Sequence, residues 1–91
     1  LLGFTSSPIV KLNRAIALAE TGAVAAALSV IERLDLGDYY LFHATRGNFM
    51  ERLGRLDQAA EAYALAATLT SNIAEKDHLH RSAQRARAST K

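Results

Sequence analysis

Arginine and asparagine side chains set among apolar residues are the groups of this 91-residue chain best suited to bind another molecule. Asn13 and Arg14 stand between Leu12 and Ile16, inside a helical pattern of apolar residues. Guanidinium and amide groups in such a setting can bind a peptide carboxylate or backbone, or can hydrogen-bond between adjacent helices and fix their angle. The candidate residues for partner binding or interdomain contact are Asn13, Arg14, His43, Arg46, Asn48 and Arg52.

The two roles are weighed differently along the chain. For Arg14 and Arg46, which occupy matching positions of an internal repeat, we favour hydrogen bonding between helices, and for Asn48 and Arg52 both roles stay open. A clamp for a peptide's terminal carboxylate needs lysine and asparagine at set places along the first helices of successive hairpins. The corresponding positions here are apolar: Ile9, Leu12 and Ile16. They fit packing against the rest of a parent chain better than a carboxylate clamp.

Metal binding and catalysis find no support in the sequence. His78 and His80 are two residues apart, which places them about 200° apart around a helix, so they cannot share one metal ion. His43 lies between apolar neighbours and is expected to be a half-buried packing residue. There is no cysteine, no glycine-rich loop after a strand and no nucleophile elbow, and the carboxylates are scattered. We expect neither an enzyme nor a cofactor or metal site.

Charge and hydropathy restrict the partners and the compartment. Residues 1–70 carry six basic and seven acidic side chains, whereas residues 71–91 carry five basic and two acidic ones. That basic tail has no aromatic residue to stack on bases, so no direct DNA contact is expected. There is no apolar run of about 18 residues, which predicts no membrane span. A cytoplasmic protein is expected, and the absence of an initial methionine suggests a fragment of a longer chain.

Apolar residues at helical spacing, separated by helix start and stop signals, predict five helices and no strand. Ser7 and Pro8 suit a helix start, Gly22 and Gly54 suit helix ends, and Asn72 suits the cap of a last helix with Glu75 as its reciprocal partner. The last helix is mostly polar, with an apolar stripe of Leu79, Ala83 and Ala86. The predicted single domain comprises hairpin 1 at about 8–34, hairpin 2 at about 39–70 and a capping helix at about 73–87.

The stretch 47–66 is the most regular part of the chain. Gly47 would allow a neighbouring helix to approach closely, and Ala59, Tyr63 and Ala66 share one helical face as a small–large–small socket. Gly22 and Gly54 lie 32 residues apart, close to the period of about 34 of helix–turn–helix repeats. The stretch resembles a tetratricopeptide (TPR) repeat, which implies an all-α, helical-hairpin (TPR-like) fold of two hairpins plus a C-terminal capping helix.

Two hairpins are fewer than the three or so repeats that usually stand alone. Leu1, Leu2 and Phe4 are apolar and precede the first helix start. We expect an upstream helix of a parent chain to cover the first hairpin, or a homodimer to form through this N-terminal apolar surface.

Several blocks, in order along nearly the whole chain, carry a more specific resemblance. They span residues 7–15, 40–46, 52–55, 59–63 and 72–76, and the first two, Ser-Pro-Ile-Val-Lys-Leu-Asn-Arg-Ala and Tyr-Leu-Phe-His-Ala-Thr-Arg, are the most specific. The chain resembles the C-terminal TPR-like extension of bacterial extracytoplasmic-function (ECF-type) RNA polymerase sigma factors. The resemblance implies a regulatory domain of transcription initiation whose partners are the upstream sigma-factor domains, RNA polymerase or a regulatory protein. The alternative is a stand-alone TPR adaptor that binds a peptide or partner protein in its concave groove.

Overall fold

The computed structural model describes residues 7–89, and these form five α-helices. The helices are α1 (Pro8–Glu20), α2 (Val24–Ile31), α3 (Tyr40–Arg52), α4 (Leu56–Leu69) and α5 (Ile73–Ala88). No strand occurs in this range. The predicted all-α, helical-hairpin fold is therefore confirmed.

The helix boundaries follow the predicted signals with two differences. The Ser7 hydroxyl accepts from the Ile9 amide at 3.3 Å, and Gly22 and Gly54 take the positive φ values of 100° and 82° that end α1 and α3. Asn72 Oδ1 accepts from the Glu75 amide at 2.9 Å. The reciprocal bond predicted from Glu75 is not formed, because the Asn72 amide donates to the Thr70 hydroxyl instead.

The second difference is the end of α2, which stops at Ile31 rather than at the predicted Leu34. The chain continues in tighter i→i−3 hydrogen bonds, from Arg33 to Val30 and from Leu34 to Ile31. The Leu34 side chain still packs against the core. Its position in the apolar pattern is therefore correct, although its backbone lies beyond the end of α2.

The helices pack as two hairpins and a fifth helix. α1 packs against α2, α3 against α4 and α4 against α5, while α2 and α3 join the two hairpins. Half of the 18 residues in the core cluster are alanine, so the helices lie close together around a thin core. The large side chains with the least exposure are Leu12, Ile31 and Leu79.

The closest approach between helices is at Gly47. A Cβ atom at this position would lie 2.9 Å from both Cδ1 and Cε1 of the Tyr63 ring. Ala59 and Ala66 are fully buried on either side of Tyr63 along α4. The three residues therefore share one buried face of α4, and the Tyr63 ring of that face lies against the α3 backbone at Gly47.

α5 closes the second hairpin with a narrow apolar side. Its buried residues are Leu79, Ser82, Ala83 and Ala86, and the rest of the helix is mostly polar and exposed, including Ile73 at 83%. This distribution suits a terminal helix that covers α4 and faces water on its other side. The apolar residues Leu1, Leu2 and Phe4 lie outside the described range.

Candidate functional site

A shallow groove of about 200 Å³ lies between α1 and α3. Its floor is apolar and its rims carry charged and amide side chains. The lining residues are Ile16 and Glu20 of α1 and Leu41, Ala44, Thr45, Asn48, Phe49 and Arg52 of α3. An open groove with an apolar floor and a few polar groups can accept a segment of another protein.

The helical repeat explains which residues of α1 face this groove. Leu12, Ala15 and Ala19 are buried against the hairpin, and Ile16 lies beside them at the groove wall. At 100° per residue, Asn13 falls within about 60° of Ile16 and about 20° of Glu20. Asn13 is exposed and extends the polar rim of the groove by one turn toward the start of α1.

Arg52 closes the other end of the groove. Its Nη2 donates to the backbone carbonyl of Ala19 at 3.2 Å. Ala19 belongs to the last turn of α1, and its carbonyl also accepts from the Gly22 amide at 2.9 Å. Arg52 therefore joins the two hairpins and also lines the groove, so the two roles predicted for it are not exclusive.

His43 and Arg46 lie on another side of α3, against the α2–α3 loop. His43 is buried, and its Nε2 donates to the Gly37 carbonyl at 2.8 Å. Since a carbonyl only accepts, Nδ1 is the acceptor in the neutral ring, and Arg46 Nη1 donates to it at 3.4 Å. Arg46 also lies 3.9 Å from the Glu32 carboxylate and 5.9 Å from the Phe42 ring centre. The packing role predicted for His43 fits this geometry.

Arg14 is separate from both groups. It is exposed on the side of α1 away from the buried residues, and within residues 7–89 it forms no hydrogen bond or ion pair. The hydrogen bond between helices that we favoured for Arg14 is thus not formed in the described range. The repeat that matches Arg14 to Arg46 does not give them equivalent surroundings, because only Arg46 has a long loop packed beside it.

A polar network between α3, α4 and α5 was not predicted. Tyr63 donates its hydroxyl proton to Glu51 Oε1 at 2.8 Å, and Arg85 donates to both carboxylate oxygens at 2.8 and 2.9 Å. This fork-to-carboxylate geometry is the strongest form of a charge-assisted pair. The network ties the capping helix to the second hairpin.

The ionisation of these groups reflects the same contacts. The hydrogen bond from Arg85 holds the pKa of Glu51 below its usual value, against the opposing effect of burial. Burial, followed by the hydrogen bond to Glu51, raises the pKa of Tyr63 to about 12. The hydrogen bond to Glu51 also raises the pKa of Arg85.

The basic end of α5 offers few unpaired charges. Arg81 pairs with Asp77 one turn earlier and Arg85 pairs with Glu51. His78 and His80 are exposed, and no group of three possible metal-ligating side chains occurs among the described residues. None of the helices in that range is long and apolar enough to cross a membrane.

Comparisons with known proteins add one relative. No family model matches the chain, and no solved structure matches it. An uncharacterized protein of Rhizobium meliloti (strain 1021) is 36% identical over 75 residues, which are 80% of this chain and 18% of that protein. The chain therefore spans less than a fifth of the length of the curated relative that it matches.

Proposed function

We propose that this domain is the regulatory C-terminal extension of an ECF-type sigma factor, acting in transcription initiation in the bacterial cytoplasm. It contacts the upstream sigma-factor domains, RNA polymerase or a regulatory protein, and the groove between α1 and α3 is its contact surface. The observation that carries the proposal is this groove, with its apolar floor and the rim groups Asn13, Glu20, Asn48 and Arg52.

The sequence resemblance and the groove involve the same two helices. The two most specific blocks of the resemblance, residues 7–15 and 40–46, supply the first part of α1 and the first part of α3. Both helices are walls of the groove. Block 40–46 supplies Leu41, Ala44 and Thr45 to the groove lining, whereas the lining residues of α1, Ile16 and Glu20, follow block 7–15.

Two further observations support a domain that works within a larger assembly. More than four fifths of the Rhizobium relative lies outside the match, which leaves room for DNA-binding regions. Arg81 and Arg85 are engaged in ion pairs, which agrees with DNA contact being made elsewhere.

The second candidate function is a stand-alone adaptor that binds a peptide or partner protein in the same groove. The open apolar floor formed by Ile16, Leu41 and Phe49 favours it, because an isolated helix or extended segment could lie there. The two functions differ in whether promoter-dependent transcription needs the groove.

The deciding experiment uses the complete protein encoded by the gene that contains this chain. The purified protein is combined with core RNA polymerase from its own bacterium, and transcripts from promoters in its genome are counted. Glu20→Lys reverses a charge in the groove at the end of α1, where a cation suits the helix dipole, so the fold should be retained. Arg14→Ala removes an exposed side chain without a partner in the described range.

We expect Glu20→Lys to change transcript yield at least threefold and Arg14→Ala to change it as well. The matched control is Lys11→Ala, an exposed side chain on the opposite side of α1. If the complete protein directs no promoter-dependent transcription, the sigma-factor function is refuted. If it directs transcription that Glu20→Lys leaves unchanged, the groove is not the contact surface, whatever the effect of Arg14→Ala, which lies outside the groove lining.

A further inference from the structure

A second surface lies at the end of the bundle where α1 and α3 begin. Two adjoining hollows of about 480 and 400 Å³ open there, on either side of the α2–α3 loop. The first is floored by Ile9, Leu36 and Tyr39, and the second by Leu34 and Phe42. Neither shares a lining residue with the groove between α1 and α3.

One exposed apolar side chain adjoins partly buried ones at this surface. Ile9 is 44% exposed, one of four large apolar residues in the described range that are at least 40% exposed. Tyr39 and Leu36 are half-buried and pack partly on the core. Contiguous apolar area of this kind, next to polar groups, is typical of surfaces that another molecule covers.

The charges around the hollows have one dominant sign. Asp35 lines both hollows, Asp38 lines the first, and Glu32 lines the second together with Arg46. Glu32 has Arg46 at 3.9 Å, whereas Asp35 and Asp38 have no ion-pair or hydrogen-bond partner within residues 7–89. Two carboxylates are therefore free to pair with a cation that stands between the hollows.

The loop that presents these carboxylates is held in place. The buried His43 ring donates to the Gly37 carbonyl at 2.8 Å, and the Tyr39 amide donates to Leu36 at 3.0 Å. A surface that is fixed before binding loses less conformational entropy when a partner docks. His43 thereby acts as a positioning residue for the loop.

We propose that this loop surface docks a basic, apolar segment of a partner protein: a lysine or arginine placed between Asp35 and Asp38, with a neighbouring aliphatic side chain in the hollow of Ile9 and Tyr39. The cation complements the free carboxylates, and the aliphatic group covers the exposed apolar floor. This site is distinct from the groove and does not depend on the sigma-factor proposal.

The test uses the 91-residue chain labelled with ¹⁵N and three short peptides of equal length. One peptide combines lysine and leucine, the second replaces its lysines by glutamate, and the third replaces its leucines by serine. Amide shifts report where each peptide binds. We expect the lysine–leucine peptide to shift amides of residues 35–39 and of Ile9, and the other two peptides to bind at least fivefold more weakly.

The variant Asp35→Asn/Asp38→Asn removes both charges without changing side-chain size, on an exposed loop where the fold does not depend on them. Losing two exposed ion pairs should weaken binding of the lysine–leucine peptide about fivefold. The control Asp57→Asn/Asp77→Asn makes the same change of charge on α4 and α5 and should alter binding less than twofold. Raising the salt concentration should reduce the difference between the two variants.

Several results would overturn the inference. No shifts at about 2 mM lysine–leucine peptide would mean no useful affinity. Shifts confined to the α1–α3 groove, or equal binding to the variant and its control, would move the site elsewhere. Changes in the amide shifts of residues 35–39 that appear without peptide, when only the protein concentration is raised, would mean that a second copy of this chain covers the surface.

Discussion

Replacement of Gly47 by alanine tests the contact that sets the distance between α3 and α4. The added Cβ would lie 2.9 Å from Tyr63 Cδ1 and Cε1 and 3.1 Å from Cγ. Real Cβ atoms do not come this close to ring carbons, so α3 and α4 must move apart or the ring must turn. Because Tyr63 is buried and bonded to Glu51, neither change is free of cost.

Two opposing effects determine the size of the change. Alanine in place of glycine inside a helix stabilises by about 1 kcal/mol. Overpacking a well-packed contact costs about 1–3 kcal/mol. We therefore expect Gly47→Ala to lower the free energy of unfolding by about 1 kcal/mol, which for a domain of this size corresponds to a drop in Tm of about 4–8 °C.

A double-mutant cycle separates the two effects. In a Tyr63→Ala background the clashing ring is gone, so the same Gly47→Ala change should stabilise by about 1 kcal/mol. In a Tyr63→Phe background the ring remains, so the destabilisation should persist. The assay is urea unfolding followed by circular dichroism, in sulfate buffer because Tyr63→Ala alone should cost about 3–5 kcal/mol.

The control is Gly37→Ala, at a glycine where an added Cβ has no atom within 4 Å and φ is not positive. It should change stability by less than about 0.5 kcal/mol or raise it slightly. The steric explanation is refuted if Gly47→Ala destabilises equally with alanine or tyrosine at position 63, or if it stabilises the otherwise unchanged chain.

The remaining predictions concern the polar contacts and Gly54, the glycine at the end of α3. Tyr63→Phe should lower the free energy of unfolding by about 1.5 kcal/mol, since the hydroxyl bonds a carboxylate; a change under 0.3 kcal/mol would contradict that, with urea unfolding as the measurement. Folding lowers the pKa of Glu51, so its contribution to the free energy of unfolding should be complete above its unfolded pKa of 4.5 and should be lost as the pH falls through its folded pKa. Urea unfolding curves at pH 3–7 should show this loss of stability, and the loss should be smaller in Glu51→Gln. At the alkaline end, the pKa of Tyr63 rises from 10.0 to about 12, so stability should decline as pH rises between these values, and less so in Tyr63→Phe. His43→Leu should leave the Gly37 carbonyl without its hydrogen-bond partner and lower Tm by several degrees, and amide hydrogen exchange should increase most in the α2–α3 loop. Loop amides as well protected as those of the unchanged chain would argue against the positioning role. Gly54→Ala should cost about 1 kcal/mol, because its φ of 82° strains any other residue.

The helix boundaries could be predicted from the sequence because caps and turns depend on residues close together in the chain. Ser7 caps α1, glycines with positive φ end α1 and α3, and Asn72 caps α5, each through contacts within four residues. The sequence also predicted a close helix approach at Gly47 and a shared face of Ala59, Tyr63 and Ala66, but it did not predict that Tyr63 is the side chain that meets Gly47.

The polar network and the loop contacts could not be predicted from the sequence, because they join residues that lie in different helices and loops. Glu51 and Arg85 are 34 residues apart, and their meeting depends on how far α5 is rotated against α4. Glu51 near the end of α3 and the arginines of α5 have the sequence pattern of ordinary solvated charges. His43 and Arg46 lie apart from Asn48 and Arg52 because the two pairs are on opposite sides of α3: Asn48 is about 200° around the helix from Arg46. Which neighbours each side meets depends on the tertiary packing.

The last turn of α3 has a consequence for how the chain can change length. Glu51 reaches α4 and α5, while its neighbour Arg52 reaches the end of α1, so two consecutive residues hold three other helices. Inserting one residue between Gly47 and Glu51 would turn both side chains by about 100° and break all of these contacts together. Insertions in the loop after Ile31 would disturb only local bonds. Length differences among descendants of this sequence should therefore accumulate between the hairpins and be absent from the second half of α3.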